Sequence, residues 1–500
     1  MSPQTGPGLP WARLLRGGAR RGGGTGGGAG PPRFADAARE ALADADARRS
    51  RAAAAEARRA AAARGRAAEG DWEGLRRRAA DVRARSLGDL ERLLVAFEKN
   101  ATAAGARVHW ARDAAEAGRV VAGILGAGPG AVARSSSATL GELRIDEALR
   151  GGGAEVRAAA VADLIAEARG AGGGAPRGHG RARARAALAG VLPGAQEELP
   201  ADPGALVGAA RDHLREVLLS ARASLTGANA LVAETGSVVA LESEGNVRLG
   251  AAAPRTLVSV AGIDKAVPAW SDLAVLVRAW SRSATGGPMP PVLSTWTGAA
   301  AGDGPQEVHV VLVDAGRTRA LADRTGRQAL RCIRCTACMD VCPVYERTGD
   351  APYGAVHTGP IGAALVPQLR GTRSAREASL PFASTLCGAC GQVCPVGVDI
   401  PAVLLELRAR VVDERRAAPV PPPEKVAAQS AEWVMSDERR YRRAQRAWER
   451  WARVAARGGR IRRLPGLLGR WTEARDLPAP PRRSFREWWA GGGSAEGEGR

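Results

Sequence analysis

All seven cysteines of this 500-residue chain fall between residues 332 and 394. A secreted disulfide framework would spread an even number of cysteines along the fold, which this odd and local group does not do. The cysteines therefore predict metal ligation in a reducing compartment. The rest of the chain must fold around a hydrophobic core without disulfides.

The first four cysteines form a C-x2-C-x2-C-x3-C-P run that ends at Pro343. This is the spacing of bacterial ferredoxins. Three thiolates at intervals of three residues can wrap one cube, and the turn at Pro343 directs the fourth thiolate toward another cluster. The run predicts a 4Fe–4S cluster held by Cys332, Cys335 and Cys338, with Cys342 serving a second cluster.

A second run of the same form ends at Pro395, with Ser384 where its first cysteine would fall. Two tandem runs predict crossed ligation of two 4Fe–4S clusters. The expected ligands are Cys332, Cys335, Cys338 and Cys394 for the first cluster, and Cys342, Cys387 and Cys390 for the second. The second cluster is then either a 3Fe–4S form or has a non-cysteine fourth ligand. Ser384 is interpreted either as that ligand or as a cap of the helical turn that carries Cys387.

Zinc is the main alternative, because C-x2-C pairs also build zinc ribbons. Zinc takes four ligands in each tetrahedral site and does not require a C-x3-C-P ending, so the doubled run favours iron–sulfur clusters. The five histidines show no metal-ligand spacing and are interpreted as structural or surface groups: His109, His179, His213, His309 and His357. No dinucleotide fingerprint or nucleophile–base pair is evident, so no catalytic residue is predicted.

The net charge of +20 suggests nucleic acid as a partner, but the arginines alternate with Ala and Gly along the whole chain. Nucleic-acid binders gather their charge on one face and often interleave aromatics, which are only 4% of this chain. Nucleic acid is therefore the weaker alternative. The N-terminus lacks a signal peptide and no stretch reaches the ~18 apolar residues of a membrane helix. We expect a cytoplasmic protein without a transmembrane segment, for which peripheral membrane contact stays open.

Changes in composition predict an α/β protein with several segments. Residues 34–100 are rich in Ala, Arg, Glu and Leu without Pro, which predicts helices. Short apolar runs between Gly-rich turns then predict strands at 130–134, 230–233, 237–241, 256–260 and 308–313, with helices at 111–125 and 203–222. The expected segments are a disordered N-terminus (1–33), a helical region (34–106), an α/β domain (107–316), a mainly helical two-cluster ferredoxin-type domain (325–410), a helical C-terminal region (411–490) and a disordered tail (491–500). Residues 419–423 predict a stiff linker.

Two short polar segments, 234–236 and 244–246, are predicted to form a pair of turns that joins two strands. Turn chemistry alone accounts for their glycines and for Asn246. The alternative, which makes the more specific prediction, is that these residues form a binding pocket.

Several blocks of the chain together resemble lactate utilisation protein B, the iron–sulfur subunit of bacterial L-lactate utilisation systems. The blocks, in order, are 108–111 (VHWA), 225–229 (LTGAN), 233–236 (AETG), 244–246 (EGN), 282–286 (RSATG), 330–335 (LRCIRC), 359–362 (GPIG), 386–390 (LCGAC) and 484–489 (SFREWW). Residues 170–184 depart from the family pattern, with only Pro176 and His179 resembling its P-x-x-H element.

The resemblance implies a LUD-type α/β domain, similar to the sugar-phosphate isomerase and coenzyme A transferase superfamily, fused to a ferredoxin-like module. It also implies electron transport, together with two companion subunits, in the oxidation of L-lactate to pyruvate. A second function remains open, in which the chain is itself an enzyme. Its α/β domain would then bind an organic substrate, and the clusters would drain the electrons.

Overall fold

The computed structural model describes residues 32–126, 128–167, 185, 188–190, 192, 202–299, 302, 304–416, 423–465, 469–472, 475–481 and 483–491. The chain divides into two compact units, Met1–Val411 and Val412–Arg500. Predictions for residues 1–31, 170–184, 419–422 and 492–500, including Pro176 and His179, lie outside the described residues.

The first unit is built on a six-stranded sheet in the order β1-β10-β7-β4-β2-β3, in which every pair of neighbouring strands is parallel. A smaller sheet has the order β8-β5-β6-β9. The strands of the first unit are β1 Ala106–Ala111, β2 Val132–Arg134, β3 Val156–Ala158, β4 Ala223–Gly227, β5 Ala230–Val232, β6 Ser237–Glu242, β7 Thr256–Gly262, β8 Ala266–Val267, β9 Val292–Trp296 and β10 Glu307–Val313. Strands β7 and β10 are buried over almost their whole length, which explains their continuous apolar sequence.

Helices cover the sheet and form the segments before and after it. They are α1 Phe34–Ala41, α2 Ala45–Ala67, α3 Trp72–Gly88, α4 Leu90–Ala103, α5 Ala114–Leu125, α6 Ala138–Leu143, α7 Ile145–Gly151, α8 Val161–Glu167, α9 Pro203–Ser220, α10 Asn246–Ala252, α11 Trp270–Ala284, α12 Arg317–Ala322, α13 Ala337–Asp340, α14 Pro343–Thr348, α15 Gly359–Arg370, α16 Ala375–Ser379, α17 Ala389–Gln392 and α18 Ile400–Arg416. Short 3-10 helices span Ile263–Lys265, Gly326–Arg331, Ala351–Tyr353 and Leu380–Phe382.

The α/β class and the parallel sheet confirm the predicted fold class in outline. All five predicted strands are present, and the two predicted helices form as α5 and α9. The helix predicted from residue 111 wrongly includes the last residue of β1, Ala111. Strands β3, β4, β8 and β9 were not predicted. These strands are short or rich in small and polar residues, so their sequences carry little period-two or apolar signal.

The N-terminal helices pack on the cysteine-bearing segment through arginine side chains. Arg58 Nε donates to Asp340 Oδ1 at 2.8 Å, and Arg59 donates to Glu346 Oε2 at 3.0 Å. Because these partners lie in α13 and α14, the helical N-terminal region forms part of the same unit as the cysteines.

The second unit contains helices α19 Pro423–Met435, α20 Glu438–Ala455, α21 Gly469–Thr472 and α22 Phe485–Ala490, and an antiparallel pair of strands, β11 Arg460–Ile461 and β12 Leu477–Pro478. Trp448 and Trp451 lie on one face of α20, with ring centroids 5.1 Å apart. Across the described parts of the chain, no helix is both long enough and apolar enough to span a bilayer.

Candidate functional site

The large sheet has a point at which the chain changes direction. From β2 the chain continues to β3 on one side, whereas from β4 it continues to β7 on the other side. Open α/β sheets bind ligands at such a switch point, outside the carboxyl ends of the strands. A cavity of about 560 Å³ lies at this place, lined by Ser136 and Ser137 after β2, Thr226 and Gly227 at the end of β4, and Lys265 after β7.

The cysteine-bearing segment forms the opposite wall of the cavity. Four cysteines line it and are called the inner group: Cys332, Cys335, Cys338 and Cys394. Burial raises the pKa of the Cys338 thiol well above its usual value, and the other three thiols raise it further. The structure therefore brings together four thiols that are separated by up to 62 residues in the sequence (394 − 332).

The other three cysteines, Cys342, Cys387 and Cys390, form a second set, called the outer group. Burial, and then the neighbouring Cys342 thiol, raise the pKa of Cys390 to about 11. Cys387 is exposed, and the N–H of Ala389 together with the Thr385 hydroxyl lowers the pKa of its thiol. In the inner group Cys335 and Cys394 are buried and Cys332 and Cys338 are half-buried, whereas in the outer group Cys342 and Cys390 are buried and Cys387 is exposed. Crossed ligation by these two groups stays a prediction.

The backbone around the cysteines points its amides toward sulfur. Three residues beside the cysteines have positive φ angles that non-glycine residues rarely adopt: Arg334 at 61°, Thr336 at 66° and Leu386 at 56°. Amides donate to Cys332 Sγ from Arg334 N (3.4 Å), to Cys342 Sγ from Tyr345 N (3.4 Å) and to Cys394 Sγ from Val398 N (3.3 Å). Backbone N–H groups turned into a concavity in this way favour a negatively charged group, so the loops fit a thiolate-bound cluster.

The charge around the inner group also fits a cluster. Four cationic side chains, Arg83, Lys265, Arg317 and Arg334, lie in this region, where Asp340 and Asp350 are present besides the two carboxylates that pair with them, Asp264 and Glu142. Arg317 binds both carboxylates, at 2.6 Å and 2.9 Å, and Lys265 Nζ lies 2.8 Å from Asp264. Arg83 and Arg334 have no carboxylate partner among the described residues, and the negative charge of a thiolate-bound cluster would lie close to them.

Among the described residues, no three His, Cys, Asp or Glu side chains are arranged to hold a single metal ion. The thiolates of a cubane cluster each bind a different iron and need not meet at one point.

Two arginines of α3 fix the loops that carry the inner group. Arg83 donates to the backbone oxygens of Asp264 (2.6 Å), Leu330 (2.8 Å), Arg331 (3.1 Å) and Ala266 (3.4 Å). Arg76 donates to the oxygens of Cys394 (2.8 Å) and Gly391 (3.0 Å). Sequence reasoning missed both residues, because two arginines among so many carry no signal of their own.

The histidines were predicted to be structural or surface groups. His357 is buried, and it also lines the cavity. Its Nε2 lies 2.6 Å from Glu142, and burial followed by the charge of Arg334 lowers its pKa to about 4. His109 and His309 pair with each other at 3.0 Å on neighbouring strands, and His213 is half-buried in α9. These three agree with a structural or surface role.

The segment 234–236 forms the turn between β5 and β6, as predicted. The prediction for 244–246 as a strand-joining turn is wrong, because Gly245 (φ 72°) precedes helix α10. Glu244 and Asn246 line the cavity instead, which supports the pocket alternative for this segment.

Ser384 lies in a local turn, where its hydroxyl accepts a hydrogen bond from Leu386 N at 3.1 Å. Cys387 itself lies outside any helix, because α17 begins at Ala389 with Gly388 as its N-cap, so the helical turn that Ser384 was expected to cap is not formed. Whether it ligates iron stays a prediction.

Three family models match successive parts of the chain. They describe a LUD domain (residues 94–313), a 4Fe–4S dicluster domain (328–398) and the C-terminal region of lactate utilisation protein B (407–493). Proteins named lactate utilisation protein B from Bacillus subtilis (strain 168) and Macrococcus caseolyticus are 33% and 34% identical to this chain. Each match covers 84% of this chain and 88% of the relative. The chain belongs to the lactate utilisation protein B family.

This family assignment confirms the resemblance inferred from the sequence blocks and assigns the cysteine segment to an iron–sulfur domain. A relative from Bacillus mycoides (strain KBAB4), named lactate utilisation protein B 1, is 32% identical over 84% of this chain and 88% of its own length. A crystal structure of a DUF162 family protein from Deinococcus radiodurans is 18% identical and covers 45% of this chain and 98% of its own, with a TM-score of 0.27. A score this low adds nothing to the fold assignment.

Proposed function

We propose that this chain is an electron-transfer protein that carries electrons released when L-lactate is oxidised to pyruvate. The inner cysteine group would hold one 4Fe–4S cluster, and the outer group would hold a second cluster with a fourth ligand other than cysteine. The observation that carries the proposal is that four of the seven thiols line one cavity together, whereas Cys387, the exposed thiol, belongs to the other three. The names of the relatives supply the connection to lactate.

When bound, the two clusters would accept and donate single electrons. The chain's own contribution is to hold the four thiols of the inner group together beside the cavity and to bring one thiol of the outer group to the surface. Arg76 and Arg83 hold the inner loops by their carbonyls, and Cys387 of the outer group is exposed. Electrons would therefore enter or leave the protein at the outer group.

The surface beside the outer group suits contact with a companion subunit. Phe382 is 45% exposed, and the guanidinium of Arg408 lies 5.3 Å from the centroid of its ring. Arg408 also donates to Ser384 O at 2.8 Å, which connects this pair to the loop that leads to Cys387. Exposed aromatic and arginine side chains are common anchors of protein interfaces. We infer that the companion subunits of the lactate system dock here, in the cytoplasm.

The enzyme alternative gains one specific observation, which is the cavity shared by the α/β domain and the inner group. It would place an organic molecule beside one redox centre. We prefer the carrier function because the proposal assigns every thiol to a cluster and no catalytic constellation is evident among the residues that the structure describes. The kinship of the LUD domain with the isomerase and coenzyme A transferase superfamily stays part of this proposal.

The proposal is tested by metal analysis of the full chain purified without oxygen. We expect roughly seven to eight irons per chain and a brown protein, as two clusters require. Stoichiometric zinc with no visible absorption would refute the proposal. L-lactate should reduce the clusters only when the companion subunits are present. Reduction of the isolated chain at a catalytically useful rate would favour the enzyme alternative.

A further inference from the structure

We propose that the cavity at the switch point of the sheet binds a small hydroxycarboxylate, and that this ligand lowers the reduction potential of the redox centre on the inner cysteine group. The proposal rests on the proposed function for the nature of that centre and for the choice of hydroxycarboxylate. It adds a ligand site to the proposed function, and it adds control of electron transfer through the effect of the ligand on the reduction potential.

The position and size of the cavity support a ligand site. It opens at the carboxyl ends of β2 and β4, where open α/β sheets bind their ligands. The whole cavity, about 560 Å³, lies within the roughly 300–1,000 Å³ of small-molecule sites, and this volume includes the space beside the four thiols. A cluster on the inner group would take up the side next to the thiols. The wall formed by the α/β domain faces that side and carries polar side chains that the thiols do not use.

Donors for a carboxylate are present in this lining. Lys265 Nζ donates to Asp264 Oδ2 and to Cys332 O, and an ammonium has three N–H groups, so one remains. Asn229 accepts from Leu241 N with its side-chain oxygen, which leaves its amide N–H groups to donate. Arg334 Nε is buried and has no acceptor within the described part of the chain.

Acceptors for a hydroxyl lie on the wall of the cavity that the α/β domain forms. Glu244 at the rim accepts from Val161 N with Oε2, which leaves its Oε1 as an acceptor. Asn246 donates its Nδ2 amide to Ala159 O, which leaves its Oδ1 as an acceptor. Glu242 differs, because the N–H groups of α10 and the Ser294 hydroxyl engage both its oxygens. The cavity thus offers cationic and amide donors together with acceptors. A short molecule that bears a carboxylate and a hydroxyl matches this combination.

An anion bound here must affect the redox centre. Reduction adds one negative charge beside the cavity, so an anionic ligand binds the oxidised protein more tightly than the reduced protein. By linkage, the ligand then lowers the reduction potential by the same free energy. We expect binding at least tenfold tighter to the oxidised protein, which corresponds to a fall of about 59 mV for one electron.

The test uses the full chain with its clusters, purified without oxygen, and the probes L-lactate and propionate. Propionate has the same skeleton and charge as lactate but lacks the hydroxyl. Equilibrium dialysis measures binding, and a potentiometric titration followed by electron paramagnetic resonance measures the potential of each cluster. We expect lactate to bind and to lower the potential of the inner cluster alone. Propionate should bind at least tenfold more weakly, because it leaves the acceptors unpaired.

Two variants that preserve local hydrogen bonds test the lining residues. Asn229→Asp keeps the oxygen that accepts from Leu241 N but removes the donor and adds a negative charge. Glu244→Gln keeps an acceptor for Val161 N. Each should weaken lactate binding at least tenfold without loss of iron. Glu155→Gln is the matched control, because Glu155 is exposed, pairs only with exposed Arg157 in the described structure and is absent from the cavity lining.

The outcomes separate this inference from the proposed function. A protein with two clusters whose potentials do not respond to lactate, and which retains no lactate on dialysis, overturns the cavity proposal and leaves the carrier function intact. Equal binding of lactate and propionate, or equal effects of Glu155→Gln and Glu244→Gln, also overturns it. A protein without iron–sulfur clusters overturns the proposed function itself.

Discussion

Replacing Arg83 by Met removes a buried guanidinium that holds the loop before Cys332. Arg83 is 2% exposed, and three of its four backbone contacts are 3.1 Å or shorter. Hydrogen bonds to a charged group contribute about 1.5–3 kcal/mol each, so three contribute roughly 5–9 kcal/mol. Burying the guanidinium costs several kcal/mol, which the Met variant avoids. We expect the local structure of this loop to lose about 3 kcal/mol of stability.

Hydrogen exchange measured by mass spectrometry tests this value on the peptide that covers residues 330–338. A loss of about 3 kcal/mol should make its protected amides exchange ~10²-fold faster, since 1.4 kcal/mol corresponds to a factor of ten. Arg85→Met is the matched control on the same helix. The Arg85 side chain is 63% exposed and pairs with Asp272, so its loss should change stability by less than about 1 kcal/mol. If both variants exchange this peptide at the wild-type rate, Arg83 does not hold the loop.

Three further predictions concern the cysteine region. Burial lowers the pKa of His357 from its ordinary value of 6.5 to about 4 in the folded protein, so the unfolded state binds a proton first as the pH falls. The free energy of unfolding should therefore decrease by about 2 kcal/mol between pH 7 and pH 5. Urea unfolding without oxygen should show this dependence, and His357→Gln should remove most of it. Cys394→Ala should damage the cluster of Cys332, Cys335 and Cys338, whereas Cys387→Ala should damage the other cluster; resonance spectra showing the reverse would exclude crossed ligation. Mild oxidation should convert the outer cluster to a 3Fe–4S form, and Ser384→Cys should suppress the conversion; equal resistance of both clusters would contradict a labile iron there.

The sequence predicted the iron–sulfur domain because ligand spacing is local. Each C-x2-C loop must turn within three residues, and the structure has positive φ angles at Arg334, Thr336 and Leu386 within or beside these loops. The grouping of Cys394 with Cys332 followed from the doubled run and not from any local signal. The central strands β7 and β10 were also predictable, because both faces are buried and their sequences are continuously apolar.

The cavity could not be predicted, because it depends on the order of the strands. Residues after β2, β4 and β7 meet there only because these strands are neighbours in the sheet, and no local pattern encodes that order. The same reason explains the error at 244–246. A glycine between polar residues predicts a turn, whereas the direction in which the chain leaves that turn depends on the packing of α10.

Two of the many arginines make specific contacts that the composition does not reveal. Their even spread along the sequence suggested a bias with no specific use, yet Arg76 and Arg83 both bind backbone oxygens of the cysteine loops. A guanidinium presents five N–H donors in a rigid fork, whereas an ammonium presents three donors on a flexible stem. One arginine can therefore satisfy carbonyls of several segments at once, since Arg83 binds oxygens of two 3-10 helices and of β8. The same group also supplies the positive charge that a buried set of thiolates requires, so position 83 combines two functions that lysine would fill less well.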